Sequence, residues 1–67
     1  MYGERIKELR LERGLTQAQL AKELNTSQKS ISKYETEVWD LNTGMIIALS
    51  KFFEVSADYL LGLTDEY

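Results

Sequence analysis

The alternation of hydrophobic and polar positions between residues 16 and 36 predicts two short helices joined by a tight turn. The first helix carries an apolar stripe at helical spacing, made by Leu20, Ala21 and Leu24. Thr16 precedes this stripe and Gln19 follows three residues later, which is the spacing of a capping box at a helix start. Asn25 interrupts the apolar pattern, and Ser27 then provides the hydroxyl that can cap a second helix.

The second helix of the pair, residues 28–36, places polar and apolar side chains on opposite faces. At about 100° per residue, the polar face holds Gln28, Lys29, Ser32, Lys33 and Thr36. Ile31 and Tyr34 lie on the other face, where they would anchor the helix. Glutamine pairs bidentately with adenine, lysine reaches guanine acceptors, and serine contacts either base. The pattern therefore favours a recognition helix that enters the major groove of DNA. The alternative is that these residues are only the solvent-facing side of an ordinary surface helix.

Three further helices are predicted around this pair, which makes the domain all-α. Each of them has a capping residue before it or a glycine after it, and glycine readily adopts the left-handed conformation that ends a helix. The predicted helices are residues 2–13 before Gly14, 43–53 after Asn42, and 57–61 between Ser56 and Gly62.

The composition limits the chemistry that this chain can carry. It has 67 residues with neither cysteine nor histidine, which excludes disulfides, thiolate chemistry and histidine as a general base or metal ligand. No apolar run approaches the ~20 residues of a membrane-spanning helix, and no secretory signal is visible. We therefore expect a single cytoplasmic domain over residues 1–67, with no membrane association, cofactor, metal or enzymatic activity.

Charge is divided unevenly along the chain. The net charge is −3, whereas a basic balance is typical of proteins that bind nucleic acid. Residues 1–36 hold seven Lys and Arg against five Asp and Glu, but residues 37–67 hold one Lys against six acidic residues. The predicted recognition helix lies in the basic half, so the asymmetric field can still steer that face toward phosphate.

The segment LTQAQLAKELNTSQKSISKYE resembles the helix-turn-helix of the phage-repressor/Cro-type family, also called the XRE family. The resemblance continues through GERIKELRLERGLTQ before it and LSKFFEVSADYLLGLTD after it, and so covers nearly the whole chain. It implies a compact five-helix bundle of the lambda-repressor-like type, with the helix-turn-helix core at about 16–36 and helices four and five at about 42–62. It also implies a sequence-specific transcriptional regulator, usually a repressor, that binds a palindromic operator in double-stranded DNA as a homodimer.

The resemblance also implies roles for single residues. In the family an arginine late in helix one pairs with a glutamate at the end of the recognition helix, and Arg10 and Glu35 match them. In the family, a glutamine at the first turn of helix two contacts phosphate and also supports the glutamine that opens the recognition helix. Gln17 matches the first of these glutamines and Gln28 matches the second. The alternative for Arg10 and Glu35 is that they are two solvated charges that do not pair. The alternative for Gln17 is that it only caps helix two. The predicted contacts are to bases or flanking backbone from Gln28, Lys29, Ser32 and Lys33, and to phosphates from Gln17, Ser27 and Thr36.

The segment between helices three and four, residues 36–43, departs from the resembled family. Glu37 and Leu41 occupy places where the family usually has a glycine and a proline. Glu37 and Asp40 would bring negative charge toward the DNA backbone that this loop approaches in the family. Trp39, the single tryptophan, would pack over the end of helix three or against helix four; the alternatives are a contact with a partner or a second copy, and a wedge near DNA.

The C-terminal part has more apolar residues than one short helix can bury. This surplus favours a homodimer contact through helix five, made by Val55, Tyr59, Leu60 and Leu63; the alternative is an ordinary core with an apolar edge. The acidic second half and the altered loop leave open a second function: a protein-interaction module, such as an antitoxin or anti-regulator, with weak DNA binding. Residues 64–67 are expected to be a frayed tail or the stub of a longer chain.

Overall fold

A computed structural model describes all 67 residues of the chain and contains five α-helices and no β-strand. The helices are α1 (Tyr2–Glu12), α2 (Gln17–Glu23), α3 (Gln28–Glu35), α4 (Thr43–Phe53) and α5 (Ala57–Leu60). The predicted all-α five-helix architecture is confirmed, with the helix-turn-helix pair α2–α3 at its centre. Helices α1, α3 and α5 each end one residue earlier than predicted, because the next residue caps the helix instead of extending it. None of the five is both long and apolar enough to cross a membrane.

Polar capping side chains set the start of four helices. The Thr16 hydroxyl accepts the Gln19 N–H at 3.1 Å, and the Gln19 side-chain oxygen accepts the Thr16 N–H at 2.8 Å, so the predicted capping box is present. Ser27, Asn42 and Ser56 likewise each accept the N–H of the third helical residue. Because such a cap contributes about 1 kcal/mol, these four sites fix where α2 to α5 begin.

Residues in the left-handed conformation make the sharp turns. Gly14 (φ 68°) after α1 and Gly62 (φ 79°) after α5 adopt it, as predicted. Asn25 (φ 56°) does so between α2 and α3, where its short polar side chain tolerates the conformation. Glu37 (φ 61°) and Glu54 (φ 57°) also adopt it. A Cβ atom makes this conformation costly, so contacts elsewhere must hold these two turns in place.

Every helix contributes one fully buried aliphatic side chain to the core. These are Ile6, Leu20, Ile31, Leu49 and Leu60, each at most 1% exposed. The other buried hydrophobic residues are Leu9, Ala21, Tyr34, Phe53 and Tyr59. Because only 12 of the 67 residues are buried, the core is small and stability is modest. At ~0.05–0.15 kcal/mol per residue, the free energy of unfolding is expected to be roughly 3–10 kcal/mol.

The predicted dimer surface on helix five is wrong at two of its four residues. Tyr59 and Leu60 are 9% and 0% exposed, because α5 packs them against α1 and α4. Leu63 is 73% exposed, and Val55 is half-buried. Most of the apolar surplus in this region therefore belongs to the core of the domain itself.

Residues 64–67 fold back on the bundle, contrary to the expectation of a frayed tail. The Tyr67 carbonyl accepts the Ser56 N–H at 2.7 Å, and the Tyr67 ring packs edge-on against Tyr59 with 4.7 Å between centroids. The Arg5 guanidinium lies 3.9 Å from the centroid of the Tyr59 ring. Tyr59 thus links α1, α5 and the C-terminal residues through one aromatic cluster.

Candidate nucleic-acid interface

Helix α3 turns its polar face outward, as the helical wheel predicts. Ile31 and Tyr34 are 1% and 7% exposed and hold the helix against the core. On the opposite face, Gln28, Lys29 and Thr36 are exposed, and Ser32 and Lys33 are half-buried. These exposures confirm that the face points outward. The face carries two cations and no acid, and its contacts with DNA remain a prediction.

The start of α3 leaves backbone N–H groups free. The Ser27 hydroxyl accepts the Ser30 N–H at 3.1 Å and lies 3.0 Å from the Ser30 hydroxyl. The N–H groups of Gln28 and Lys29, in the first turn, have no intrahelical partner and no other hydrogen bond in the chain. Free N–H groups at the positive end of a helix dipole are suited to bind phosphate.

The Arg10–Glu35 pair is present and buried. Arg10 Nε donates to Glu35 Oε2 at 2.7 Å, and Arg10 Nη2 donates to Glu35 Oε1 at 3.1 Å. Arg10 Nη1 also donates to the Leu15 carbonyl at 2.9 Å. The two side chains are only 9% and 4% exposed, so the alternative of two solvated charges is wrong. A two-point bond between planar groups fixes the angle between α1 and the end of α3.

Gln17 does not support Gln28 in this structure. Its Nε2 donates instead to Glu35 Oε1 at 3.1 Å, and no hydrogen bond joins Gln17 to Gln28. The physical reason is that the buried Glu35 carboxylate has further lone pairs to satisfy. Gln28 lies seven residues earlier in α3, about 10 Å along the helix axis. Gln17 thus ties α2 to the same buried pair that joins α1 and α3.

Thr36 caps the end of α3 with its own side chain. Its hydroxyl donates to the Ser32 carbonyl at 2.8 Å, so the proton that a phosphate contact would need is used inside the helix. Contact between Thr36 and phosphate remains a prediction that requires this hydroxyl to rotate.

The acidic residues of the loop between α3 and α4 are turned toward the start of α1. Glu37 Oε2 accepts the Gly3 N–H at 3.3 Å, and the Tyr2 hydroxyl donates to the Trp39 carbonyl at 3.0 Å and to Asp40 Oδ1 at 3.4 Å. Burial and then the neighbouring carboxylates raise the pKa of the Tyr2 phenol above its ordinary 10.0. Both carboxylates therefore have partners inside the domain, at the positive end of the α1 dipole.

Trp39 packs over the end of α3, which was the first of the three roles considered for it. Its ring lies edge-on to Tyr34 with 5.8 Å between centroids, and Lys33 Nζ is 5.3 Å from the Trp39 ring centroid. The side chain is 44% exposed, so part of the indole still faces solvent. Trp39 thus joins the loop to α3 through an aromatic contact with Tyr34 and a cation–π contact with Lys33.

Gly3 is a structural residue that the sequence reasoning missed. A Cβ atom at this position would lie 2.3 Å from the Glu35 carbonyl oxygen and 2.9 Å from Glu37 Cγ. Only glycine therefore allows α1 to approach the end of α3 this closely. The available signal was a glycine inside a helical pattern, which is costly unless packing requires it.

A family model for the helix-turn-helix domain matches residues 3–66, which is nearly the whole chain. The chain belongs to this helix-turn-helix family. The matched residues include the α2–α3 pair, the buried Arg10–Glu35 contact and the loop of residues 36–43 that departs from the resembled pattern.

Curated relatives share the domain but are longer proteins. The HTH-type transcriptional regulator ImmR of Bacillus subtilis (strain 168) is 42% identical over 60 residues, covering 90% of this chain and 47% of ImmR. The HTH-type transcriptional regulator YobD of the same organism is 36% identical over 66 residues, covering 98% of this chain and 59% of YobD. The chain thus spans about half the length of these relatives.

Solved structures with the same fold include a repressor bound to DNA. The P22 c2 repressor in complex with synthetic operator 9T superposes with a TM-score of 0.84 at 37% identity, covering 90% of this chain and 91% of that one. The DNA-binding domain of the P22 c2 repressor in solution superposes with a TM-score of 0.82 at 38% identity, covering 91% of this chain and 80% of that one.

Proposed function

We propose that this chain reads double-stranded DNA as the sequence-specific domain of a transcriptional regulator, and acts as a repressor in the cytoplasm. The observation that carries the proposal is the outward face of α3, which offers amide, hydroxyl and ammonium groups without acid on a helix anchored by Ile31 and Tyr34. The likeness to ImmR and to the P22 c2 repressor bound to its operator supports it.

Base reading in the proposal falls mainly to the first two turns of α3. Gln28 is exposed at the start of the helix and would bind adenine N6 and N7 bidentately. Lys29 beside it would reach guanine acceptors or the flanking backbone, and Ser32 one turn later would contact either kind of base. Lys33, at the edge of the face, would contact the flanking backbone.

Phosphate contacts would fix the helix in the groove without reading sequence. Gln17 uses one amide proton on Glu35 and keeps a second for a phosphate oxygen. The Ser27 hydroxyl and the free backbone N–H groups of Gln28 and Lys29 would bind a second phosphate. Thr36 would bind a third after its hydroxyl turns from the Ser32 carbonyl.

Two copies would read a palindrome. Their recognition helices would enter successive major grooves, with half-sites about one helical turn apart, roughly 34 Å. The contact between copies cannot use Tyr59 or Leu60, since both are committed to the core. A domain with net charge −3 would gain little from nonspecific attraction, so binding to random DNA should be weak. The phosphate contacts should still make the affinity for the specific site decrease as salt increases.

Two alanine variants separate base reading from phosphate binding. Against the duplex that the chain enriches from a random library, Gln28→Ala should lose ~1–3 kcal/mol of binding free energy and relax specificity at one base pair. Lys33→Ala should weaken binding to every sequence similarly and reduce the dependence of affinity on salt. Equal losses for Gln28→Ala on the enriched duplex and on random DNA would remove Gln28 as a base reader.

The second candidate is a protein-interaction module, such as an antitoxin or anti-regulator, with weak DNA binding. The six acidic residues against one lysine in residues 37–67 favour it. Selection from a random duplex library at low salt separates the two. Enrichment of one palindrome supports the DNA-reading regulator, whereas a pool that stays unenriched supports the interaction module.

A further inference from the structure

We infer that Trp39 is a positioning residue for DNA binding: its indole face holds the Lys33 ammonium at the edge of the recognition helix, ready for a phosphate. The inference rests on the proposed function and adds a residue outside α3 to its machinery. It also assigns a role to the loop of residues 36–43, whose sequence departs from that of the resembled family.

The backbone and ring of Trp39 are held at three points. Its N–H donates to the Lys33 carbonyl at 3.2 Å, and its carbonyl accepts the Tyr2 hydroxyl at 3.0 Å. Its ring rests edge-on against Tyr34, with 5.8 Å between centroids, and Tyr34 is itself buried in the core. The two hydrogen bonds fix the Trp39 peptide, and the contact with Tyr34 restrains the ring beside Lys33.

Lys33 lies over this platform with its charge otherwise unpaired. Its Nζ is 5.3 Å from the ring centroid, within the ~6 Å range of a cation–π contact. It makes no salt bridge. An ammonium group over a ring face keeps its N–H donors for another acceptor. Lysine is a flexible side chain with about 2 kcal/mol of rotamer entropy. A contact that orders it before binding reduces the cost of ordering it on DNA.

The nearest acidic residues of the loop do not compete for Lys33. The Glu37 carboxylate accepts the Gly3 N–H at 3.3 Å, and the Asp40 carboxylate accepts the Tyr2 hydroxyl at 3.4 Å. Each makes a hydrogen bond at the start of α1, and neither forms a salt bridge with Lys33. Lys29, by contrast, is exposed and makes no cation–π contact, which makes it a matched control within the same helix.

A double-mutant cycle tests the inference. Affinity for a labelled copy of the duplex that the chain enriches from a random library is measured by anisotropy for Trp39→Leu, Lys33→Met, Lys29→Met and the two doubles with Trp39→Leu. Trp39→Leu should weaken binding about two- to fivefold, the fold-change that corresponds to ~0.5–1 kcal/mol saved when one flexible side chain is ordered before binding. Trp39→Leu should add no further loss when Lys33 is already Met, but its full loss when Lys29 is Met.

Nuclear magnetic resonance supplies a readout that does not depend on a variant folding or on DNA. The ε-methylene protons of Lys33 should be shifted upfield by the indole ring in the wild-type chain, and those of Lys29 should not. Identical shifts for the two lysines would overturn the inference, as would independent losses for Trp39→Leu and Lys33→Met. If the wild-type chain enriches no duplex, the proposed function fails and this inference with it; binding with independent losses removes this inference alone.

Discussion

The close contact between α1 and the end of α3 makes Gly3→Ala the most informative stability variant. The added Cβ would lie 2.3 Å from the backbone carbonyl oxygen of Glu35. A backbone atom cannot rotate away, so α1 must shift outward. That shift would also lengthen the hydrogen bond from the Gly3 N–H to Glu37, now 3.3 Å.

The magnitude follows from two opposing effects. Forcing one extra carbon into a packed contact costs ~1–3 kcal/mol. Replacing glycine by alanine inside a helix returns roughly 0.5–1 kcal/mol. Taking the middle of each range, we expect a net loss of about 1 kcal/mol, out of roughly 3–10 kcal/mol for a domain of this size. For 60–100 residues this corresponds to a fall in Tm of about 4–8 °C.

Gly44→Ala is the matched control. Gly44 is the second residue of α4, as Gly3 is the second residue of α1. The nearest atom to its added Cβ is Asn42 Oδ1 at 3.4 Å, an ordinary contact with a side chain. Gly44→Ala should range from no change to a gain of about 1 kcal/mol. Thermal and urea unfolding of both variants decide the matter: Gly3→Ala at least as stable as wild type would refute the close-approach argument.

Two further predictions concern the charged and titrating groups around α1. Arg10→Met should cost about 3 kcal/mol in urea unfolding because it leaves the Glu35 carboxylate buried without its cation. Arg13→Met, whose salt bridge is 4.0 Å long and exposed, should cost under ~1 kcal/mol; equal losses for the two would show that burial does not matter here. In ultraviolet titration the phenols of Tyr2 and Tyr67 should both ionise above pH 10.0, and Tyr2→Phe should remove the Tyr2 share of this late step. Because the pKa of Tyr2 is higher folded than unfolded, its contribution to stability is present below pH 10.0 and lost as the phenol ionises at higher pH; a late step of unchanged amplitude in Tyr2→Phe would contradict the assignment.

Features encoded within a few residues were predictable from the sequence. The caps at Thr16, Ser27 and Asn42 and the left-handed turn at Gly14 depend on local hydrogen bonding and backbone conformation, which residue types report directly. The outward face of α3 follows from the helical period alone. The Arg10–Glu35 pair joins distant residues, and the resemblance to a known family supplied it rather than any local pattern.

Features that depend on how helices meet were not predictable in this way. Tyr59 and Leu60 look like surplus apolar residues on a four-residue helix until α1 and α4 are known to cover them. Gly3 looks like a weak point in α1 until the Glu35 carbonyl is placed against it. The partner of Gln17 likewise depends on which end of α3 the start of α2 approaches.

The proposed DNA-contact surface is tested most directly by following backbone and side-chain amide resonances while the duplex that the chain enriches from a random library is added. The largest early changes should fall on Gln28, Lys29 and Ser32, on the side-chain amide of Gln17, and on the Trp39 indole. Changes confined to α4 and α5, or no change at any duplex concentration, would contradict the account.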